Sequence, residues 1–212
     1  MPRFIVLLLA LISPLPVLGQ TPGSLAPRVR FETSLGDFVV ELDTVRAPLT
    51  AENFLRYVRD GAYDGTVFHR VIAHFVIQGG GYDERLAERP GRAAIPNESG
   101  NGLSNRRGSL GLAREESPHS GSSQFYINLI DNAALDPRPN RWGYAVFGIV
   151  VEGMEVVDRI GYLQTGTVES FGPDVPVQKP VVRRAYVVDA APLAAPATPP
   201  QPPAEEKADS TQ

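Results

Sequence analysis

The stretch Phe68-His69-Arg70-Val71-Ile72-Ala73-His74-Phe75-Val76-Ile77-Gln78-Gly79-Gly80 decides how this chain folds. It holds two runs rich in β-branched and aromatic residues, 66–72 and 75–78, broken at Ala73-His74 and ended by glycines, a pattern of two short strands around a tight turn. Strand alternation sends Phe68, Arg70 and Ile72 to one face of the first run. In the second it sets Phe75 and Ile77 opposite Val76 and Gln78. Outward from this pair, similar runs occur at 29–34, 38–42, 109–113, 124–129, 145–151 and 181–188, bounded by Gly, Asn, Asp and Pro. The first two flank Leu35-Gly36-Asp37, a hairpin turn sequence. Two helical patterns interrupt the strands. Pro48 opens one in which Ala51, Phe54, Leu55 and Val58 share a face, and Gly61 stops it. The other, 154–160, lies between Gly153 and Gly161 and brings Met154, Val157 and Ile160 to one side. Eight short strands and two helices predict a mainly β fold: a closed eight-stranded antiparallel β-barrel capped by two α-helices.

A chain of 212 residues with 42% hydrophobic content suits one domain with appendages. Its formal net charge is -4, and the basic residues are nearly all arginines scattered singly or in pairs. No phosphate-tracking stripe results, so no nucleic-acid partner is expected. The absence of cysteine rules out disulfides, thiolate metal sites and a cysteine nucleophile. Residues 1–19 read as a signal peptide: Arg3, an apolar run at 4–12, a break at Pro14 and Pro16, and small residues before Gln20. Nine apolar residues are too few to span a bilayer, so an exported protein with no stable membrane insertion after cleavage is expected. Residues 20–27 read as a linker and 28–191 as the folded domain. At 192–212 lies an acidic Pro/Ala-rich tail with six prolines and no apolar pattern, expected to be disordered.

Several patterns superficially suggest other chemistries. His69, His74 and His119 lack the spacing of a metal site or of an acidic partner, so no metal is expected. Gly121-Ser122-Ser123 is not the G-x-S-x-G of a serine hydrolase. Gly79-Gly80-Gly81 is followed by Tyr82-Asp83-Glu84, which places anions where a phosphate would sit. The Glu115-Glu116 pair reads as a solvated loop face.

Three further stretches carry a stronger signal. They are Gly108-Ser109-Leu110-Gly111-Leu112-Ala113-Arg114, then Ser122-Ser123-Gln124-Phe125-Tyr126-Ile127-Asn128, then Ala134-Leu135-Asp136 with Gly143-Tyr144-Ala145-Val146-Phe147-Gly148. Together with FHRVI and IQGG, and with the Ala47-Pro48-Leu49-Thr50-Ala51-Glu52-Asn53-Phe54 helix opening, the chain over about residues 28–190 resembles the cyclophilins, the peptidyl-prolyl cis-trans isomerases. Its short loops look most like those of exported bacterial members, which implies a periplasmic or secreted protein. The resemblance implies the same barrel with a site on its outer face. By it the catalytic positions fall on Arg70 and Gln78, proline-pocket positions on Phe75, Val76, Ala113, Gln124, Tyr126, Leu135 and Tyr144, and a backbone-binding position on Arg114. It also implies that no cofactor is used, that proline-containing polypeptides are the partners, and that the protein acts as a monomer.

The activity so implied is Xaa-Pro isomerisation during folding of exported proteins, without a covalent intermediate. The alternative is a non-catalytic proline-peptide-binding module or holdase chaperone, which would have no use for a guanidinium aimed at a prolyl nitrogen. Departures from the family pattern bear on selectivity. Ala134 stands where many eukaryotic members carry the tryptophan that contacts cyclosporin, so weak binding of that drug is expected, with Trp142 as a partial substitute. Val76, Tyr126, Tyr144 and Arg114 stand where methionine, phenylalanine, histidine and asparagine are common. Tyr126 adds a hydroxyl that needs a partner if buried.

Overall fold

The computed structural model describes residues 26–188; the signal peptide and the tail read from the sequence lie outside the described residues. The chain begins with the hairpin β1 (Arg28–Thr33) and β2 (Gly36–Leu42), followed by helix α1 (Pro48–Arg59). Strands β3 (Thr66–Ile72), β4 (Val76–Asp83), β5 (Ser109–Leu112), β6 (Phe125–Asn128) and β7 (Val146–Glu152) follow, with one 3-10 turn, Ala133–Leu135, between the last two. Helix α2 (Met154–Gly161), the hairpin β8 (Thr165–Val168) and β9 (Gly172–Pro176), and β10 (Val182–Val188) complete it. Each of the eight strands read from the sequence is present.

Eight strands form one antiparallel sheet in the order β10-β1-β2-β7-β5-β6-β4-β3. Its concave face holds the core. Phe31 stacks on Phe38 at 4.9 Å, and Phe54 from α1 meets Phe125 edge-on at 5.4 Å. α2 contributes Val157 and Ile160, both fully buried. Burial of each such side chain stabilises the fold by roughly 1.5–3 kcal/mol. Pro48 stands in the first turn of α1, where a missing N–H costs nothing. The Glu98 carboxylate accepts from the Leu49 and Thr50 amides at 3.1 and 2.8 Å, which satisfies donors that a helix start otherwise leaves bare.

The barrel is not closed, contrary to the sequence expectation. β10 and β3 are the edges of an open, strongly curled sheet, a half-barrel; among the described residues no ladder joins them, and the isolated bridge Val67↔Val181 spans the gap beside β10. Around it the Gly65 amide donates to Val182 O and the Phe68 amide to Pro180 O. A full ladder fails for two physical reasons. Pro180 has no N–H to donate, and β3 is bulged between Thr66 and Phe68 and again between Phe68 and Arg70. The second bulge also breaks the simple alternation read for this strand: Phe68 and Val71 both enter the core, while Arg70 turns away from it.

The β8–β9 hairpin was not read from the sequence. Its strands, TGTV and GPDVP, carry two glycines and two prolines among nine residues and show no alternating apolar pattern. It lies against β3, with Phe171 at its turn packed edge-on to Tyr82 at 4.8 Å and near His69 at 6.2 Å.

Candidate active site

Cross-strand register builds the site. Arg70 on β3 pairs with Gln78 on β4, Gln78 with Tyr126 on β6, and Tyr126 with Gly111 on β5, giving one transverse row over four strands. The next row, Val71, Ile77, Ile127 and Leu110, points the other way and belongs to the core. The period of two along each strand therefore puts polar groups on the outer face directly behind the hydrophobic layer. Gly111 ends the row because Tyr126 needs its space: a Cβ there would lie 2.1 Å from Tyr126 Cζ.

On this outer face a cavity of about 190 Å³ is lined by Arg70, Phe75, Val76, Gln78, Ala113, Arg114, Tyr126, Leu135 and Tyr144. These are nine of the ten site residues read from the sequence. The tenth, Gln124, lines the adjoining cavity of about 310 Å³, which shares Gln78, Ala113 and Arg114 with the first. Gln124 is nonetheless joined to the site by hydrogen bonds. Arg70 Nη1 donates to Gln78 Oε1 at 3.3 Å, and Gln78 Nε2 donates to Gln124 Oε1 at 2.9 Å. The guanidinium is thus held on one edge by an amide that is itself held.

Tyr126 is the floor. Its hydroxyl, the one that lacked a partner in the sequence, donates to Asn105 Oδ1 at 2.5 Å, and Asn105 Nδ2 donates to Asp136 Oδ1 at 2.8 Å. Burial, with Tyr144 and Asp136 nearby, pushes the Tyr126 phenol well above its ordinary pKa, so it remains a donor. Since Asp136 follows Leu135, the same network ties floor to wall. Tyr144 meets the Tyr126 ring edge-on at 5.9 Å, and the Tyr144 amide donates to Leu135 O at 3.0 Å.

Arg114 lies at the rim with its donors already engaged. They reach the carbonyls of Gly143, Trp142, Glu115 and Glu116, and the guanidinium carbon sits 4.5 Å above the Tyr144 ring. The side chain braces the Tyr144 wall. Ala134 is exposed, and Trp142 packs edge-on to His119 at 5.1 Å without lining the cavity.

The other two histidines lie apart from it, His69 buried against Tyr82 and exposed His74 at φ +59 in the β3–β4 turn. Four residues that support the site were missed in the sequence: Gly111, Asn105, Asp136 and Asp174. Asp174 Oδ2 lies 3.6 Å from Arg70 Nε. Only the register of β5 against β6 could have exposed Gly111, and nothing local marks Asp174, which comes from the unread hairpin.

Residues 28–187 match the family model for cyclophilin type peptidyl-prolyl cis-trans isomerases. A Streptomyces antibioticus peptidyl-prolyl cis-trans isomerase is 48% identical over 163 residues, 76% of this chain and 98% of that protein. The Escherichia coli peptidyl-prolyl cis-trans isomerase B is 43% identical over 162 residues, 75% of this chain and 98% of its own length. Among solved structures, a Cryptosporidium parvum cyclophilin type isomerase superposes with a TM-score of 0.63 at 25% identity, covering 77% of this chain and 98% of that one. The same protein has been crystallised in the presence of the dipeptide Ala-Pro. With sequence over the whole folded region and a half-barrel of the same kind in agreement, this chain belongs to the cyclophilin-type peptidyl-prolyl cis-trans isomerases.

Proposed function

We propose that the 190 Å³ cavity receives the proline ring of an Xaa-Pro segment and that Arg70 lowers the barrier to rotation about the preceding amide. That amide is held planar by resonance, with a barrier of ~18–20 kcal/mol. No bond to the substrate forms or breaks. Rotation frees the prolyl nitrogen lone pair, and the guanidinium, which never releases its own proton, donates a hydrogen bond to it. Because that lone pair is available only in the twisted state, the contact stabilises the transition state over either planar form. A charged hydrogen bond contributes ~1.5–3 kcal/mol. If it and positioning together remove ~7 kcal/mol, the rate rises about 10⁵-fold.

Phe75, Tyr126, Val76 and Leu135 hold the ring by apolar contact, while Gln78 and Gln124 orient Arg70 and the peptide backbone. The observation that carries this reading is the Arg70 guanidinium at the cavity edge, fixed by the Gln78–Gln124 relay. The test is cis-to-trans relaxation of an Xaa-Pro peptide with wild type and Arg70→Ala. Equal acceleration by both removes Arg70 from its role.

The clients are exported polypeptides, met in the periplasm or outside the cell by a monomer. The leader-like composition of residues 1–19 supports export. No helix among the described residues is long and apolar enough to cross a membrane. Recovery of protein with an intact Met1 terminus from the cytoplasm would overturn the export claim, and light scattering checks the monomer.

A further inference from the structure

We propose that Asp174, on the β8–β9 hairpin, is a positioning residue for Arg70, which makes that hairpin part of the catalytic apparatus. The proposal rests on Arg70 as the donor to the prolyl nitrogen. Asp174 Oδ2 lies 3.6 Å from Arg70 Nε, while Nη1 on another edge of the same plane donates to Gln78 at 3.3 Å. One restraint would let the flat guanidinium swivel about a single contact; two restraints from different directions fix its plane. Among the described residues Nη2 donates no hydrogen bond, which leaves it free to donate to substrate. The hairpin can bear this role because it is anchored: Val175, next to Asp174, is 3% exposed, and Phe171 packs on Tyr82.

Both charged side chains keep solvent contact, at 40% and 31% exposure, so the pair adds little to stability and its removal should leave folding intact. Its effect is on geometry. In the full chain, Asp174→Asn should lower kcat about three- to five-fold with little change in KM, and Asp174→Glu should keep most of the activity. In an Arg70→Ala background, Asp174→Asn should cost nothing further. Salt should depress the wild-type rate toward that of Asp174→Asn and leave the variant unmoved, a response that a purely structural role would not give. Wild-type activity in Asp174→Asn while Arg70→Ala is impaired would overturn the proposal and leave Arg70 standing. An equal loss from Asp174→Asn in both backgrounds would also overturn it. Full activity in Arg70→Ala would remove the donor and Asp174's role together. Should Asp174→Asn fold poorly, Asp174→Glu and the wild-type salt response decide.

Discussion

Alanine at position 111 would fill a space on which the pocket floor depends. A Cβ there lies 2.1 Å from Tyr126 Cζ and 2.2 Å from its hydroxyl oxygen, whereas ordinary contact begins at 3.4 Å. The ring must therefore retreat by about 1.3 Å, the difference between 3.4 and 2.1. Tyr126 is 4% exposed and its hydroxyl is tied to Asn105 at 2.5 Å, so the ring either breaks that bond or rises into the cavity. Overpacking costs ~1–3 kcal/mol and the buried Tyr126 hydroxyl left without its acceptor ~1–3 kcal/mol, giving a loss of ~2–6 kcal/mol in all. Isomerase activity should fall at least ~10-fold, because a displacement of this size in a positioning surface disturbs the bound geometry. Urea unfolding followed by circular dichroism reads the first effect and Xaa-Pro relaxation the second. Gly111→Ala combined with Tyr126→Leu should recover stability relative to Gly111→Ala alone. A Gly111→Ala protein within ~0.5 kcal/mol of wild type and fully active would show that the Tyr126 ring does not depend on the space at position 111.

Burial, with the nearby Arg70 charge adding to it, holds the His69 imidazole at a pKa of about 4 against the usual 6.5. Between these values the unfolded chain takes a proton that the native chain refuses, so stability falls as pH drops from 6.5 toward 4, by about 3 kcal/mol. His69→Gln should flatten this window in urea titrations at stepped pH, whereas Asp43 and Asp158, whose pKa values are lowered, act only below the ordinary carboxylate range. Glu98→Ala removes the acceptor at the start of α1 and should cost about 1 kcal/mol by chemical unfolding. Cyclosporin should bind weakly, and Ala134→Trp should tighten it by titration calorimetry; tight binding by the wild type would contradict the reading of the pocket rim.

Most of the site was legible through the cyclophilin-like motifs rather than through strand pattern. Arg70, Phe75, Val76 and Gln78 lie within a few residues of one another on two paired strands and their turn, yet alternation by itself sets Phe75 opposite Val76 and Gln78 and leaves Arg70 and Gln78 as ordinary surface residues. What was illegible depends on register or distance. The bulge after Phe68 redirects Arg70, and nothing in FHRVI announces it. Asn105 becomes the partner of Tyr126 only when β5 and β6 pair. Glu98 reaches a helix start 48 residues away. The hairpin 165–176 hid behind prolines and glycines that argue against strand in isolation, and it forms because β3 offers it a surface. Closure is not settled by strand count: eight strands are enough for a barrel, whereas one proline and two bulges keep these edges from joining.

The pairing of β1 with β10 sets Arg28 opposite Val188, so the first and last described strands are neighbours in the sheet. Forming that pair brings together residues 160 positions apart, a loop-closure cost of roughly 4–5 kcal/mol by the logarithmic chain law. The native order of synthesis thus leaves the hardest join to the two ends of the domain. A circular permutant that links residue 188 to residue 28 through a short turn, and opens in the exposed segment at 89–94, would turn this longest-range ladder into a hairpin. It should keep the row from Arg70 to Gly111 unbroken and fold faster than the natural chain.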